Sequence, residues 1–218
     1  MTEFIIREIH AEDINSIARI HRASFQDRAL TQLGIGPIRR YYKWLLSGFS
    51  EIYPICAQTP EQQIAGFCFA GLYSGSFSGF LQRNKWYLAG CILIRPWLLL
   101  NSLVREQAGL AVKTLFSLLK YRRKFRKVSK ENAPIKSKKP SSLGILSIAV
   151  DPSYQRQGVG ELLIKEIEGK AWENNYSRLH LTVHPENLSA VNFYQKLGWQ
   201  KVPSKDHWSG RMIKILSQ

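Results

Sequence analysis

Apolar and polar residues along the first third of the chain alternate at strand spacing and recur at helical spacing. The segment FIIREI at residues 4–9 predicts a first strand. A helix is predicted to open at residues 11–13, because isoleucine and alanine then follow at helical spacing. GIGPIRRYYKWLL at 34–46 predicts a second helix, and strands are predicted at 52–57 and 64–72. The polar TPEQQ between those two strands indicates a hairpin connection.

Strands and helices alternate again in the last third. LGILSIAV, residues 143–150, is almost entirely apolar and predicts a buried strand. The later periodicities predict a helix at 161–174, a strand at 178–183, a helix at 188–197 and two closing strands at 199–202 and 207–216. This order indicates an α/β fold.

Residues 74–142 differ in character from both flanks. SGSFSGF, residues 74–80, predicts a small-residue loop, and residues 97–121 predict a long helix with one apolar face. The stretch 86–100 is interrupted by Arg-Pro and is shorter than the roughly 20 residues of a spanning helix. We therefore interpret the chain as one domain, residues 1–218, with a helical, basic insertion at about 74–142 and no transmembrane segment.

Most of the positive charge is concentrated in that insertion. The net charge is +15, and residues 120–139 carry ten Lys or Arg against one acid, Glu131. The rest of the chain is mildly basic, as in enzymes that bind anionic ligands, which argues against nucleic acid as the main partner. The basic run could instead cover an acceptor site, contact a partner subunit, or lie on an anionic membrane surface.

The cysteines and the amino terminus indicate a compartment. The chain has three cysteines, Cys56, Cys68 and Cys91. Because their number is odd, their spacing wide and no histidine accompanies them, a metal site or a disulfide framework is not expected. Residues 1–8 are too acidic and too short in their apolar part for a secretory signal. We therefore expect a cytoplasmic protein, with peripheral membrane contact through the insertion as an alternative.

The segment QRQGVG, residues 155–160, lies between the buried strand and the next helix. A glycine-containing turn that enters a helix leaves backbone N–H groups unpaired at the positive end of the helix dipole, which makes an anion site. Gly158 and Gly160 would let the backbone approach a phosphate, and Arg156 could add charge. A P-loop is excluded by the glycine spacing, and a dinucleotide fingerprint is excluded because Gln155 stands where its first glycine should be.

A third pattern fits. Gln155-x-x-Gly158-x-Gly160, after a strand ending in Ala149-Val150-Asp151-Pro152, resembles the acyl-CoA loop of the GNAT N-acetyltransferase superfamily. Downstream, Asn187-x-x-Ala190-x-x-Phe193-Tyr194-x-x-Leu197-Gly198-Trp199 resembles the family's next segment, with Trp199 in place of the usual phenylalanine. The resemblance is strong over residues 143–202, weaker over 4–72 and absent over 74–142.

The resemblance implies a fold and a donor site. The fold would be a mixed central sheet of about six to seven strands with splayed central strands, flanking helices and an insertion between the third and fourth strands. Acetyl-CoA would enter between the splayed strands. Its pantetheine arm would pair with Ile148, Ala149 and Val150, and its pyrophosphate would bind the loop. The donor-binding residues implied in that loop are Gln155, Arg156, Gln157, Gly158, Val159, Gly160 and Glu161.

The resemblance also implies a reaction. An acceptor amine would attack the thioester directly, and Tyr194 would protonate the leaving thiolate. Asn187 would contact the pantetheine or an ordered water. Some family members carry a glutamate on the strand before the loop, but residues 143–150 contain no carboxylate. The sequence therefore does not assign the group that accepts the proton from the amine. It could be a chain of water molecules or a side chain, and the candidate side chains are His184, Glu186, Glu51 and His207.

The expected function is transfer of an acetyl or short acyl group from acetyl-CoA to a primary amine, such as an amino sugar or another small molecule. Two alternatives remain: a protein or peptide N-acetyltransferase, and a weakly catalytic module that binds nucleic acid or anionic membrane through the insertion. No metal is expected, and no nucleophilic Ser or Cys is required, because a thioester is already activated. The residues are compatible with a monomer or a homodimer.

Overall fold

The computed structural model describes residues 3–47, 51–72, 76–95, 142–204 and 207–216. The helices are α1 (Ile14–Ser24), α2 (Ala29–Gln32), α3 (Ile35–Leu46), α4 (Ser76–Leu93), α5 (Val159–Glu173) and α6 (Leu188–Lys196). The strands are β1 (Ile5–Glu8), β2 (Ile52–Gln58), β3 (Ile64–Gly71), β4 (Ser142–Val150), β5 (Arg178–Thr182), β6 (Gln200–Lys201) and β7 (Arg211–Ile215). Short 3₁₀ turns, at Ala11–Asp13 and Pro152–Tyr154, precede α1 and α5.

The seven strands form one mixed sheet in the order β1-β2-β3-β4-β5-β7-β6. Strands β1 to β4 are antiparallel neighbours, and so are β5, β7 and β6. Among the described strands, β4 and β5 form the one parallel pair, which lies at the centre of the sheet and is connected through α5. The predicted α/β fold with a mixed central sheet is confirmed.

The two central strands separate soon after they meet. Their pairing runs only from Ser142 opposite Arg178 to Gly144 opposite His180. Beyond Gly144, β4 continues to Val150 with β3 as its neighbour, while β5 continues with β7. A wedge therefore opens between β4 and β5 toward the start of α5, as predicted for splayed central strands.

A β-bulge interrupts β4 just past the point of separation. Phe69 of β3 stands opposite Ser147 and Ala70 stands opposite Ile145, so Leu146 is the extra residue. The bulge changes the alternation of side chains along β4. Ile145 packs with the α5 side of the sheet, Leu146 packs with the opposite side, and Ser147 is also directed to that opposite side.

Each face of the sheet is covered by a separate apolar layer. One layer packs α5 and α6 on the sheet, with Leu163, Ile164 and Ile167 fully buried. The other packs α1, α3 and α4, with Ile17 and Ile38 fully buried. Burying a side chain of this size stabilises the fold by about 1.5–3 kcal/mol, so the apolar faces of α1 and α5 fix both helices on the sheet.

The insertion predicted at about 74–142 is described only at its start. The loop predicted for residues 74–80 is wrong from Ser76 onward, because Ser76–Leu93 forms α4. Phe80 is fully buried, and a Cβ on Gly79 would stand 3.0 Å from the Trp44 ring, so α4 packs closely on α3. The predicted helix at 97–121 and the basic run at 120–139 lie outside the described residues. Within the described part of the chain, no helix is long and apolar enough to cross a membrane.

Candidate functional site

The turn into α5 presents a row of backbone donors at the open end of the wedge. Gly158 caps α5 in the left-handed conformation at φ +84°, and Arg156 is also left-handed at φ +62°. Among the described residues, no acceptor receives the amide N–H groups of residues 156–161, whereas Leu162 N–H already bonds the Gly158 carbonyl at 3.1 Å. Convergent free amides at a helix start bind anions such as phosphates.

The side chains of this turn divide into exposed and anchoring residues. Gln155, Arg156, Gln157 and Gly158 are exposed, whereas Val159 is buried in the α5 layer. Gly160 also has a packing role that the sequence did not predict: a Cβ there would stand 3.2 Å from Phe193 Cζ. Its missing side chain makes room for the Phe193 ring, while Gly158 has open space around it. Glu161 is half-buried and its carboxylate contacts Lys165 at 2.8 Å.

One edge of β4 faces the wedge along residues 148–150. The N–H of Asp151 bonds the Ala65 carbonyl of β3 at 2.8 Å. Since strand residues alternate in direction, the backbone groups of Val150 and Ile148 point away from β3 and into the wedge, and those of Ala149 point to β3. The Val150 carbonyl accepts from Ser24 Oγ and Gln155 Nε2, both at 3.3 Å. The Val150 N–H and the backbone groups of Ile148 therefore point into the wedge, where an extended ligand could form strand-like hydrogen bonds with them.

Tyr194 lies on the other side of the wedge, on α6. Its side chain is only 7% exposed and packs against the rings of Phe193 and Trp199. Burial raises the pKa of the Tyr194 phenol, and the nearby Cys68 thiol raises it further, so the hydroxyl stays protonated at neutral pH. The hydroxyl has no hydrogen-bond partner among the described residues, which leaves it free to donate to a ligand.

Asn187 has a structural function that the sequence prediction did not include. It is the N-cap of α6, and its side-chain oxygen accepts from the Ala190 N–H at 3.1 Å. The spacing between Asn187 and Ala190 is thus that of a helix cap. The residue is exposed, and a contact with pantetheine, available to its Nδ2, stays a prediction.

Hydrogen-bonded polar side chains that the sequence analysis did not predict lie on the α1–α3 side of β4. His21 Nδ1 and the Tyr42 hydroxyl are 2.7 Å apart, and the same hydroxyl lies 2.9 Å from Ser147 Oγ. A second pair occurs where β4 and β5 separate, with Ser142 Oγ 2.7 Å from His180 Nδ1. These partners are between 21 and 105 residues apart in sequence, so no local motif indicates them.

The side chains proposed as proton acceptors are scattered. His184 and Glu186 are exposed on the turn after β5, and His207 is exposed after a short undescribed segment. Glu51 accepts from the Tyr53 hydroxyl at 2.7 Å at the start of β2. Among the described residues, none of these four side chains is shown in contact with Tyr194 or the α5 turn, so the identity of the proton acceptor stays a prediction. In the described ranges, no group of three or more His, Cys, Asp or Glu residues could hold a metal ion.

Comparison with known proteins gives a family and a fold. The Acetyltransferase (GNAT) family model matches residues 38–199. Among curated proteins, the chain is 35% identical over 57 residues to the [ribosomal protein bS18]-alanine N-acetyltransferase of Escherichia coli, an alignment that covers 26% of this chain and 38% of that protein. It is 34% identical over 61 residues to the thialysine N-epsilon-acetyltransferase of Bos taurus, covering 28% of this chain and 36% of that protein. The chain thus spans less than half the length of either relative.

Solved structures match over nearly the whole chain at low identity. The PaiA N-acetyltransferase of Thermoplasma acidophilum, solved in complex with coenzyme A, gives a TM-score of 0.56 at 13% identity and covers 98% of this chain and 99% of that one. The Escherichia coli ribosomal-protein-S18-alanine N-acetyltransferase gives a TM-score of 0.52 at 13% identity, over 97% of this chain and 91% of that one. At these identities the likeness concerns the fold alone.

Proposed function

Because the chain belongs to the Acetyltransferase (GNAT) family, we propose that it transfers an acetyl group from acetyl-CoA to the nitrogen of a primary amine. The observation that carries the proposal is the continuity of three features. The free amides of residues 156–161 lie at the mouth of the wedge and the open edge of β4 runs inward from them. The protonated Tyr194 belongs to the apolar cluster against which Ile148 and Val150 of that edge pack. A diphosphate, an extended amide-containing arm and a thioester need those three environments in that order.

The chemistry follows from the positions of these groups. The neutral amine nitrogen attacks the thioester carbonyl carbon, a new C–N bond forms, and the C–S bond breaks. The departing sulfur takes its proton from Tyr194, whose hydroxyl is held protonated by burial. The proton lost by the amine passes either to water or to one of the four side chains named above. The Tyr194 phenolate regains a proton from water, so the net products are the acetylated amine and coenzyme A.

The acceptor is proposed only as a primary amine. The two curated relatives are named for different acceptors, an alanine of a ribosomal protein and the ε-nitrogen of thialysine. Both names specify acetylation at nitrogen, and they do not distinguish a protein from a small molecule for this chain. Acetyl-CoA with a panel of amino sugars, polyamines, amino acids and peptides, with thiol release as the readout, would identify the class.

Two glycine substitutions test the donor site. Replacing Gly158 and Gly160 together by valine should abolish acetyl-CoA binding in isothermal titration, because the amides would be displaced from their convergent arrangement. Gly169→Val is the matched control, since Gly169 is exposed on α5 with open space around it. Unchanged acetyl-CoA affinity in the double variant would contradict the assignment.

The rival function is a module that binds nucleic acid or anionic membrane through residues 120–139. Deletion of these residues separates the two activities, because the residues proposed to bind acetyl-CoA all lie outside this segment of the sequence. We expect acetyl-CoA binding and thiol release to survive the deletion. Loss of liposome or DNA binding alone would make the basic run an accessory. Absence of acetyl-CoA binding in the full chain would favour the rival.

A further inference from the structure

A chain of hydrogen bonds links the interior of the α1–α3 layer to the open edge of β4. It runs from His21 on α1 through Tyr42 on α3 to Ser147 on β4, with contacts of 2.7 and 2.9 Å. Tyr42 is fully buried and His21 is only 7% exposed, whereas Ser147 is partly exposed. Burying polar groups in an apolar layer costs free energy unless they are hydrogen-bonded. The fact that this series of hydrogen bonds ends at a partly exposed serine on β4 therefore needs an explanation.

The bulge in β4 explains why Ser147 is the exposed end of this series of hydrogen bonds. With Leu146 as the extra residue, Ser147 is directed to the side of Tyr42. Ser147 also lies three positions beyond Gly144, the last residue of β4 that pairs with β5. A pantetheine arm that pairs with residues 150 to 148 would therefore bring its thioester next to Ser147.

The direction of the bonds follows from His21. Burial and the positive charge of Arg28 lower the pKa of His21 to about 4, so the ring is neutral at pH 7 and carries one proton. Its Nε2 is buried and has no partner in the described part of the chain. A buried N–H without a partner is rarer in proteins than a buried acceptor without one, so the proton belongs on Nδ1. His21 then donates to the Tyr42 hydroxyl, and Tyr42 donates to Ser147 Oγ. The proton of the Ser147 hydroxyl must therefore point away from Tyr42, toward another acceptor.

We infer that the Ser147 hydroxyl donates a hydrogen bond to the thioester carbonyl oxygen and stabilises the negative charge that forms there during attack. Tyr42 and His21 are positioning residues, which fix the direction of the Ser147 proton. The inference rests on the proposed function, and it adds a side-chain donor that the sequence motifs do not contain. No proton is transferred along the chain, since a neutral His21 at the buried end cannot hold a second one at pH 7.

Three variants test the inference by kinetics. Removing one donor to an oxyanion typically lowers kcat about 100-fold or more, and a single hydroxyl that shares the site with backbone groups should account for about 10- to 100-fold. Ser147→Ala should show this loss with acetyl-CoA affinity unchanged, and Ser147→Thr, which keeps the hydroxyl, should recover most of the activity. Tyr42→Phe should lose about tenfold in kcat, because Ser147 is no longer oriented. Wild-type kcat in Ser147→Ala would overturn the inference.

A spectroscopic readout separates this inference from the proposed function. In isotope-edited infrared spectra, the carbonyl band of labelled acetyl-CoA bound to the wild type should lie at lower frequency than when it is bound to Ser147→Ala. Equal frequencies with both proteins saturated would overturn the role of Ser147 and leave the proposed function standing. If the wild type bound no acetyl-CoA, the proposed function would fail and the inference with it.

Discussion

The ring of Phe193 occupies the space that a side chain on Gly160 would need. A Cβ at Gly160 would stand 3.2 Å from Phe193 Cζ, closer than an ordinary van der Waals contact. Gly160 lies in the first turn of α5, and Phe193 precedes Tyr194 on α6. The contact therefore fixes the helix that presents the free amides against the helix that carries the buried phenol.

Gly160→Ala should disturb that contact without strain in the backbone, because Gly160 lies within a regular helical turn. We expect a destabilisation of about 1 kcal/mol and weaker acetyl-CoA binding, measured by thermal melting and titration. Adding Phe193→Leu should restore part of both, since the smaller side chain makes room for the methyl group. Additive losses in the double variant would mean that the two residues act separately.

Two substitutions at Arg156 separate the effect of its charge on acetyl-CoA binding from the effect of its left-handed backbone on stability. Arg156→Ala should weaken acetyl-CoA binding about fivefold, equivalent to about 1 kcal/mol for an exposed charge, and raised salt should shrink the difference. Arg156→Gly removes the same charge but tolerates the φ of +62°. We therefore expect the glycine variant to be more stable than the alanine variant and to bind equally weakly. A glycine variant with wild-type affinity would show that the guanidinium does not contact the ligand.

The strand and helix order could be read from the sequence because each element has its own periodicity. The segment 143–150, apolar except for Ser147, lies within the central β4, and residues 155–158 of QRQGVG form the turn before α5, which begins two residues earlier than predicted. The His21–Tyr42–Ser147 chain could not be predicted, because a tyrosine on an apolar helical face looks like ordinary core and its partners are distant in sequence. The bulge at Leu146 could not be predicted either, because a strand with apolar residues on both faces has no alternation of polar and apolar positions that an extra residue would interrupt.

Asn187 can be tested for cap and ligand roles separately. Asn187→Asp keeps the oxygen that accepts from the Ala190 N–H, but it loses the amide donor. Asn187→Ala loses both and should destabilise the fold by about 1 kcal/mol. If Nδ2 contacts pantetheine, the aspartate variant should keep wild-type stability and bind acetyl-CoA more weakly. Wild-type binding by the aspartate variant would limit Asn187 to its capping role.

The buried His21 predicts a stability that depends on pH. The pKa of His21 is about 4 in the folded state against 6.5 unfolded, so the unfolded state binds more protons between these values. Stability should therefore fall as pH drops from 6.5 to 4, by up to about 3 kcal/mol from this residue. Burial and the charges of Arg211 and Arg178 lower the pKa of His180 as well, which adds a contribution of the same sign.

Urea unfolding at several pH values between 4.5 and 7 measures that slope. His21→Leu should reduce the slope, leaving the part that belongs to His180. Asp13 does not interfere, because the hydrogen bond from Arg7 holds its carboxyl pKa below the ordinary value of 3.8, under this window. An unchanged slope in His21→Leu would mean that His21 is not held neutral by the fold.

Tyr194→Phe removes a hydroxyl that has no partner in the described structure. The substitution should therefore leave thermal stability and acetyl-CoA affinity nearly unchanged, because the ring keeps its contacts with Phe193 and Trp199. It should lower kcat about 100-fold if the phenol protonates the leaving thiolate. Tyr154→Phe is the matched control: its hydroxyl bonds Gln63 next to the α5 turn, outside the wedge, and kcat should not change.

The leaving group gives a further test of the same residue. An acyl donor whose thiol is more acidic than that of coenzyme A needs less help from a proton donor. The loss of kcat in Tyr194→Phe should therefore shrink with such a donor, because the wild type no longer benefits from protonation of the thiolate. An equal loss with both donors would place the effect of Tyr194 in binding geometry, and equal kcat in the variant and the wild type would remove the residue from the acid role.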